Sequence, residues 1–88
     1  MGAVIVTVSD EKNTFSVDME VPNMQIVGEL KRDIIDTLNE YRPELYLNAD
    51  SLELYSRRLS RIVNSHETLA QAKVWNGDYI LLMKKRNR

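Results

Sequence analysis

The residues best suited to chemistry in this chain are few and scattered. His66 is the sole histidine among 88 residues, and it sits in the polar run Ser65-His66-Glu67-Thr68. An imidazole acts as a base or a metal ligand when carboxylates, thiolates or further imidazoles converge on it. Here only Glu67 is near in sequence and there is no cysteine, so the pattern is that of a surface turn. Asp33 and Asp36 stand three apart, close enough on a helix for paired carboxylates. They lie beside Lys31 and Arg32, however, as on a solvated helix face rather than in an acid–base pair. No nucleophile–base spacing, glycine-rich phosphate loop or zinc pattern is present. The expectation is a non-enzymatic protein with no cofactor and no metal. What remains is suited to binding. Arg57, Arg58 and Arg61 crowd one short stretch, which reads as a solvated basic turn or as an electrostatic docking patch for an acidic partner. Trp75, the one tryptophan, precedes Asn76-Gly77-Asp78. It fills the edge of a core or stands as an exposed aromatic anchor, and the sequence leaves both open.

Composition narrows the classes of partner. The formal net charge of −1 conceals an asymmetry. Lys84, Lys85, Arg86 and Arg88 close the chain, whereas residues 1–83 carry eight Lys/Arg against thirteen Asp/Glu. An acidic body argues against nucleic-acid binding, which needs a basic face to neutralise phosphates. No apolar run approaches the ~20 residues of a membrane span, and the N-terminus lacks the plan of a signal peptide. Without cysteine there is no disulfide framework. A cytoplasmic domain over residues 1–84 with a basic tail over 85–88 is expected.

One element must carry most of the packing. From Pro22 to Arg42 the chain has helical periodicity, with Val27, Leu30, Ile34 and Leu38 on one stripe and Ile35 widening it. Asn23 is a plausible N-cap, with Ile26 the latest start of the first turn, and Arg42-Pro43 closes the helix because the residue before proline is driven out of the α region. Gly28 lets the helix approach the sheet or is a tolerated surface glycine.

The rest reads as strands. Ala3 to Val8 (AVIVTV) has Val4, Val6 and Val8 on the side opposite Ile5. Phe15 to Val21 alternates apolar and polar, and the two form a hairpin with a loop of about six residues. Glu44 to Asp50 is a connector. Ser51 to Tyr55 is a third strand, with Leu52 and Leu54 inward and Glu53 outward. Leu59 to Val63 suggests a short edge strand and Ser65 to Leu69 a helical turn. Asn76-Gly77-Asp78 turns the chain into YILLM, residues 79–83, an all-apolar strand suited to the middle of a sheet. One helix and several strands bury their apolar faces by laying the helix across one side of a sheet, an α+β arrangement.

This order and several local motifs resemble ubiquitin-like proteins. Val21-Pro22 before the helix is similar to ubiquitin's strand–proline–helix corner. Leu52 to Leu59 (LELYSRRL) is similar to its third strand, turn and following leucine, and Thr68-Leu69-Ala70 to its Thr-Leu-Ser turn. Within that group the chain resembles the YukD-like proteins of bacterial type VII secretion systems. The resemblance lies in Val27-Gly28-Glu29-Leu30, in Thr68-Leu69-Ala70-Gln71-Ala72, and in the run from Val74 through Leu82.

The resemblance implies an α+β ubiquitin-like β-grasp, a mixed four- to five-stranded sheet with one helix across one face. It implies a cytoplasmic interaction module, an accessory or docking component of a type VII-like secretion system. Its partner would be a protein such as that system's ATPase or a membrane component, which would hold the chain at the inner face of the membrane. Ubiquitin's own apolar patch corresponds to outward positions Glu53, Leu81 and Met83. With Ile5, Arg57, Arg58, Arg61 and Trp75 these are the candidate partner-binding residues, and an apolar strip of Ile5, Leu81 and Met83 is also suited to weak self-association. Glu53 disfavours an apolar partner helix of the kind ubiquitin receptors use. Two other roles stay open: a modifier conjugated through a processed glycine C-terminus, and the soluble domain of a secretion-system membrane subunit.

Overall fold

A computed structural model describes residues 2–86; Arg88 of the expected basic tail lies outside the described residues. Five strands form one sheet: β1 (Ala3–Asp10), β2 (Ser16–Pro22), β3 (Leu52–Ser56), β4 (Arg61–Ile62) and β5 (Tyr79–Lys84). Their spatial order is β2-β1-β5-β3-β4. β1 and β5 run parallel and the other neighbours antiparallel, so the sheet is mixed, as the resemblance implies. The all-apolar β5 lies in the middle. Its inward Ile80 and Leu82 are buried, and its other face is half-covered by neighbouring strands.

The single helix, α1 (Val27–Tyr41), buries Val27, Leu30, Ile34, Ile35 and Leu38. This stripe meets Val4, Val6 and Val8 of β1, Leu52 and Leu54 of β3, and Leu69, Ala72 and Val74 in one cluster. Burying each such side chain contributes roughly 1.5–3 kcal/mol as an upper estimate.

The helix starts at the late end of the sequence expectation. α1 begins at Val27, so Asn23 is not its cap; the cap position is Ile26, which offers no side-chain bond. The orphan N–H groups of a first turn need acceptors, and the 64–68 loop supplies them. The Glu67 carbonyl accepts from Val27 N–H at 2.8 Å and the Ser65 carbonyl from Gly28 N–H at 3.1 Å. With those donors satisfied, no capping side chain is required. Asn23 instead uses its backbone: its N–H donates to the Gly2 carbonyl and its carbonyl accepts from Ala70 N–H. Gly28 faces the 64–68 loop: a Cβ there would lie 3.4 Å from both Ser65 Cβ and the Ser65 carbonyl oxygen, a snug van der Waals contact. The close neighbour is therefore the loop rather than the sheet.

Other boundaries shift modestly. β1 continues to Asp10, which shortens the hairpin loop. Ser51 belongs to a 3-10 turn, Ala49–Ser51, so β3 starts at Leu52. The expected edge strand is only Arg61–Ile62. In the 65–69 stretch the helical turn starts at Thr68: Thr68 and Gln71 cap one another reciprocally, and Ala72 N–H closes the turn on the Thr68 carbonyl at 3.0 Å. Between α1 and β3 the connector is pinned by Asn39, whose side chain bonds both the N–H and the carbonyl of Leu47.

Candidate functional site

The face of the sheet away from α1 is built by strand alternation. On β5 the outward positions are Tyr79, Leu81 and Met83. The register sets Glu53 opposite Met83 and Tyr55 opposite Leu81, and Ile62 of β4 opposite Tyr55. Paired residues share a face, so Leu81, Met83, Tyr55 and Ile62 form a half-exposed apolar band with the carboxylate of Glu53 at one margin. A cleft of about 410 Å³ opens on this band, lined by Glu53, Tyr55, Ile62, Asn64, Met83 and Lys84, with Arg86 at its mouth.

Ile5 lies on the same face but is not continuous with Leu81. In the parallel β1–β5 pairing Ser9 stands beside Leu81 and Thr7 beside Tyr79, which places Ile5 further on, at the Asn76-Gly77 turn. There its N–H donates to Asn76 Oδ1 and its carbonyl accepts from Gly77 N–H, both at 2.8 Å. Gly77 takes φ +88°, a conformation glycine allows without steric cost. Ile5 (52% exposed), Tyr79 and Trp75 (59% exposed) are thus the large apolar residues exposed toward this end.

The three arginines diverge. Arg57 donates its backbone N–H to the Tyr79 carbonyl and holds its guanidinium 5.6 Å from the Tyr79 ring centre, which brings its charge to the outer face. Arg58 turns into a cage. Its guanidinium meets the Asp78 carboxylate at 2.9 and 3.0 Å, donates to the Lys73 carbonyl, and stacks 4.0 Å over Trp75. Asp78 is only 8% exposed. The hydrogen bonds from Arg58, helped by the Trp75 N–H, hold its carboxyl below the usual carboxylate range against the opposing effect of burial. Arg61 pairs with Glu67 at 2.7 Å, and that bond lowers the Glu67 carboxyl. Arg58 and Arg61 therefore neutralise carboxylates of the chain itself and brace the loops that frame β5 and cap α1.

Sequence reasoning did not single out Tyr55, Ile62 or Tyr79, although the period-two rule that placed Glu53 and Leu81 outward carries on to Tyr55 and Tyr79. Ile62 required the β3–β4 register. His66 is exposed in its turn, and Asp33 accepts a bond from Gln25 rather than facing Asp36. No cluster of three or more His, Asp or Glu side chains suited to a metal occurs among the described residues, nor does any helix long and apolar enough to cross a membrane.

The chain has the ubiquitin-like β-grasp fold. It is similar to the EccD5 ubiquitin-like domain from Mycobacterium xenopi, with a TM-score of 0.79 and 14% identity over the whole of both chains. It is similar to the ubiquitin of Caldiarchaeum subterraneum, with a TM-score of 0.72 and 18% identity over 98% of each chain. The ubiquitin-like domain of Plasmodium falciparum Dsk2 matches 96% of this chain and all of its own, with a TM-score of 0.73 and 12% identity. No protein-family model and no curated protein matches the sequence.

Proposed function

We propose that the chain is a non-enzymatic ubiquitin-like interaction module, acting as an accessory or docking component of a type VII-like secretion system. The observation that carries the interaction role is the apolar band of Leu81, Met83, Tyr55 and Ile62 on a sheet face that no other layer of the described residues covers. Arg57 at the Tyr79 end, and Glu53 with Lys84 and Arg86 at the Met83 end, give the band charged margins that orient an incoming partner. Ile5 and Trp75 offer a second exposed apolar area at the Asn76-Gly77 end, separate from the band, while Arg58 and Arg61 hold the framing loops.

The secretion-system assignment draws support from the YukD-like motifs and from the full-length likeness to the EccD5 domain. The same likeness favours a second reading, in which the chain is the ubiquitin-like domain of a secretion-system membrane subunit. Affinity capture from the native cell with the unaltered chain and a Leu81→Ser/Met83→Ser variant tests both. Retention of a secretion ATPase or membrane component by the unaltered chain alone supports the docking role. Retention of the same proteins by both chains overturns the surface, and retention of none overturns the assignment. Intact mass of the native product separates the free protein from a domain of a larger one.

A further inference from the structure

The sheet has two edges of unequal length. β4 is two residues long, whereas β2 runs seven, Ser16–Pro22, with no strand beyond it among the described residues. The direction of its free backbone groups follows from bonds on the other side of β1. Ile5 and Thr7 turn their backbone toward β5, through Asn76 Oδ1, Gly77 N–H and the Asp78 carbonyl. The alternate residues Val4, Val6 and Val8 therefore face β2, paired with Val21, Met19 and Val17. The Asn23 N–H to Gly2 carbonyl bond continues the same phase. It follows that the N–H and carbonyl groups of Ser16, Asp18 and Glu20 point off the open edge. Pro22, which has no N–H, bounds that window.

Next to this edge, a groove of about 140 Å³ lies between β2 and α1, lined by Met19, Glu20 and Val21 of the strand and by Leu30, Asp33 and Ile34 of the helix. Met19 and Val17 are only half-buried. On the opposite side of the strand, Asp18 and Glu20 are exposed carboxylates. The ion pairs of the described residues lie elsewhere, at Asp50, Glu44, Asp78 and Glu67.

We infer that the open edge of β2 receives an extended segment of a partner protein in which apolar and basic residues alternate. Strand addition supplies backbone hydrogen bonds at Ser16, Asp18 and Glu20, and alternate side chains read the two faces. Apolar residues of the segment lie over Met19 and Val17 toward the groove. Basic residues fall beside Asp18 and Glu20 on the outer face, where opposite charges on neighbouring strands attract. A second copy of this chain is a poor occupant. An antiparallel pairing of β2 with itself centred on Asp18 sets Asp18 against Asp18, and one centred on Met19 sets Asp18 against Glu20. Both put carboxylates directly opposite, which destabilises the pair. The acidic residues thus disfavour these two central registers of self-pairing along a long edge while favouring a basic strand.

Amide hydrogen exchange on the full chain tests this, with a short capped peptide of alternating Val and Lys as probe. Protection at Asp18 and Glu20 is expected to rise on the order of tenfold or more, since their N–H groups gain acceptors. A Val–Glu peptide, the Val–Lys peptide N-methylated at its pairing residues, and the Val–Lys peptide offered to a Glu20→Lys chain should each give little protection. Equal protection by the Val–Glu or N-methylated peptide overturns the inference, as does protection confined to Leu81 and Met83. Concentration-dependent protection of Asp18 and Glu20 without peptide also overturns it, in favour of a second copy. The peptide arms decide the matter if Glu20→Lys does not fold. Loss of the Leu81–Met83 surface leaves these readouts unchanged.

Discussion

The two faces of the central strand β5 are made from the same kinds of residue and do different things. Inward, Ile80 and Leu82 are 1–2% exposed beneath α1. Outward, Leu81 and Met83 keep part of their surface in water, flanked by Tyr55 and Glu53 on β3 and, for Leu81, by Ser9 on β1. The inner face is closed by another layer of the fold; the outer face is narrowed by its own sheet. Apolar residues beneath α1 are required for folding. Apolar residues across from it are not, and their presence marks a surface suited to a partner.

The largest effect that separates the faces should come from Leu54→Ala. Leu54 is 1% exposed, directly opposite Leu82 in the β3–β5 register. Removing it leaves a cavity under α1, and the unfolding free energy should fall by about 2–5 kcal/mol in urea titration. A loss below about 1 kcal/mol would show that the inner face repacks freely, and the contrast between the faces would fail.

Next in size is Arg58→Ala. This arginine lies between the faces, closing the turn that delivers the chain into β5. Its removal leaves Asp78 a buried carboxylate without its cation and strips one side from Trp75. A stability loss of about 1–3 kcal/mol is expected, together with a shift in the emission of the sole tryptophan. Arg58→Lys should restore little of it, because an ammonium cannot make the bidentate contact or the stack. Full rescue by Lys would reduce the cage to a point-charge contact.

The same cage makes a pH prediction with a definite sign. The Asp78 carboxyl lies below its ordinary value of 3.8 because Arg58 bonds its charged form. A carboxyl lowered in the folded state contributes stability that is fully present above the unfolded value and is lost as pH falls through the folded one. Urea midpoints should therefore drop more steeply below pH 4 in the unaltered chain than in Asp78→Asn. Parallel profiles would mean that Glu67 and Asp10, whose carboxyls are also lowered, carry the acid response instead.

How much of this was legible beforehand depends on the kind of signal. β2 could be read face by face because Ser16, Asp18 and Glu20 alternate with apolar residues. β5 could be placed in the middle of a sheet for the opposite reason, that it shows no alternation at all. That uniformity hides which of its residues face α1, and only the pairing with Glu53 and Tyr55 orients them. The helix stripe was visible at Val27, Leu30, Ile34 and Leu38, whereas its start was only bracketed between Asn23 and Ile26. The acceptors for the first turn are carbonyls of Ser65 and Glu67, nearly forty residues away, and a backbone carbonyl leaves no mark in the sequence. The arginine cluster misled by proximity. Arg57, Arg58 and Arg61 are neighbours in the chain, but their partners are Tyr79, Asp78 and Glu67, set by loop geometry that spacing does not encode.

The smallest effect on stability should belong to the outer face. Leu81→Ser/Met83→Ser trims side chains that are already half in water, so only part of the transfer free energy is at stake. The serines keep every backbone bond to β1 and β3, although β-propensity falls slightly. A combined loss below about 1.5 kcal/mol is expected, smaller than that of Leu54→Ala alone. Partner retention should nonetheless fall on the order of tenfold or more, because a band central to an interface carries a disproportionate share of affinity. Those two numbers must move apart for the contrast between the faces to hold. If the double variant loses as much stability as Leu54→Ala, the outer band is a second core, and its apolar character needs no partner to explain it.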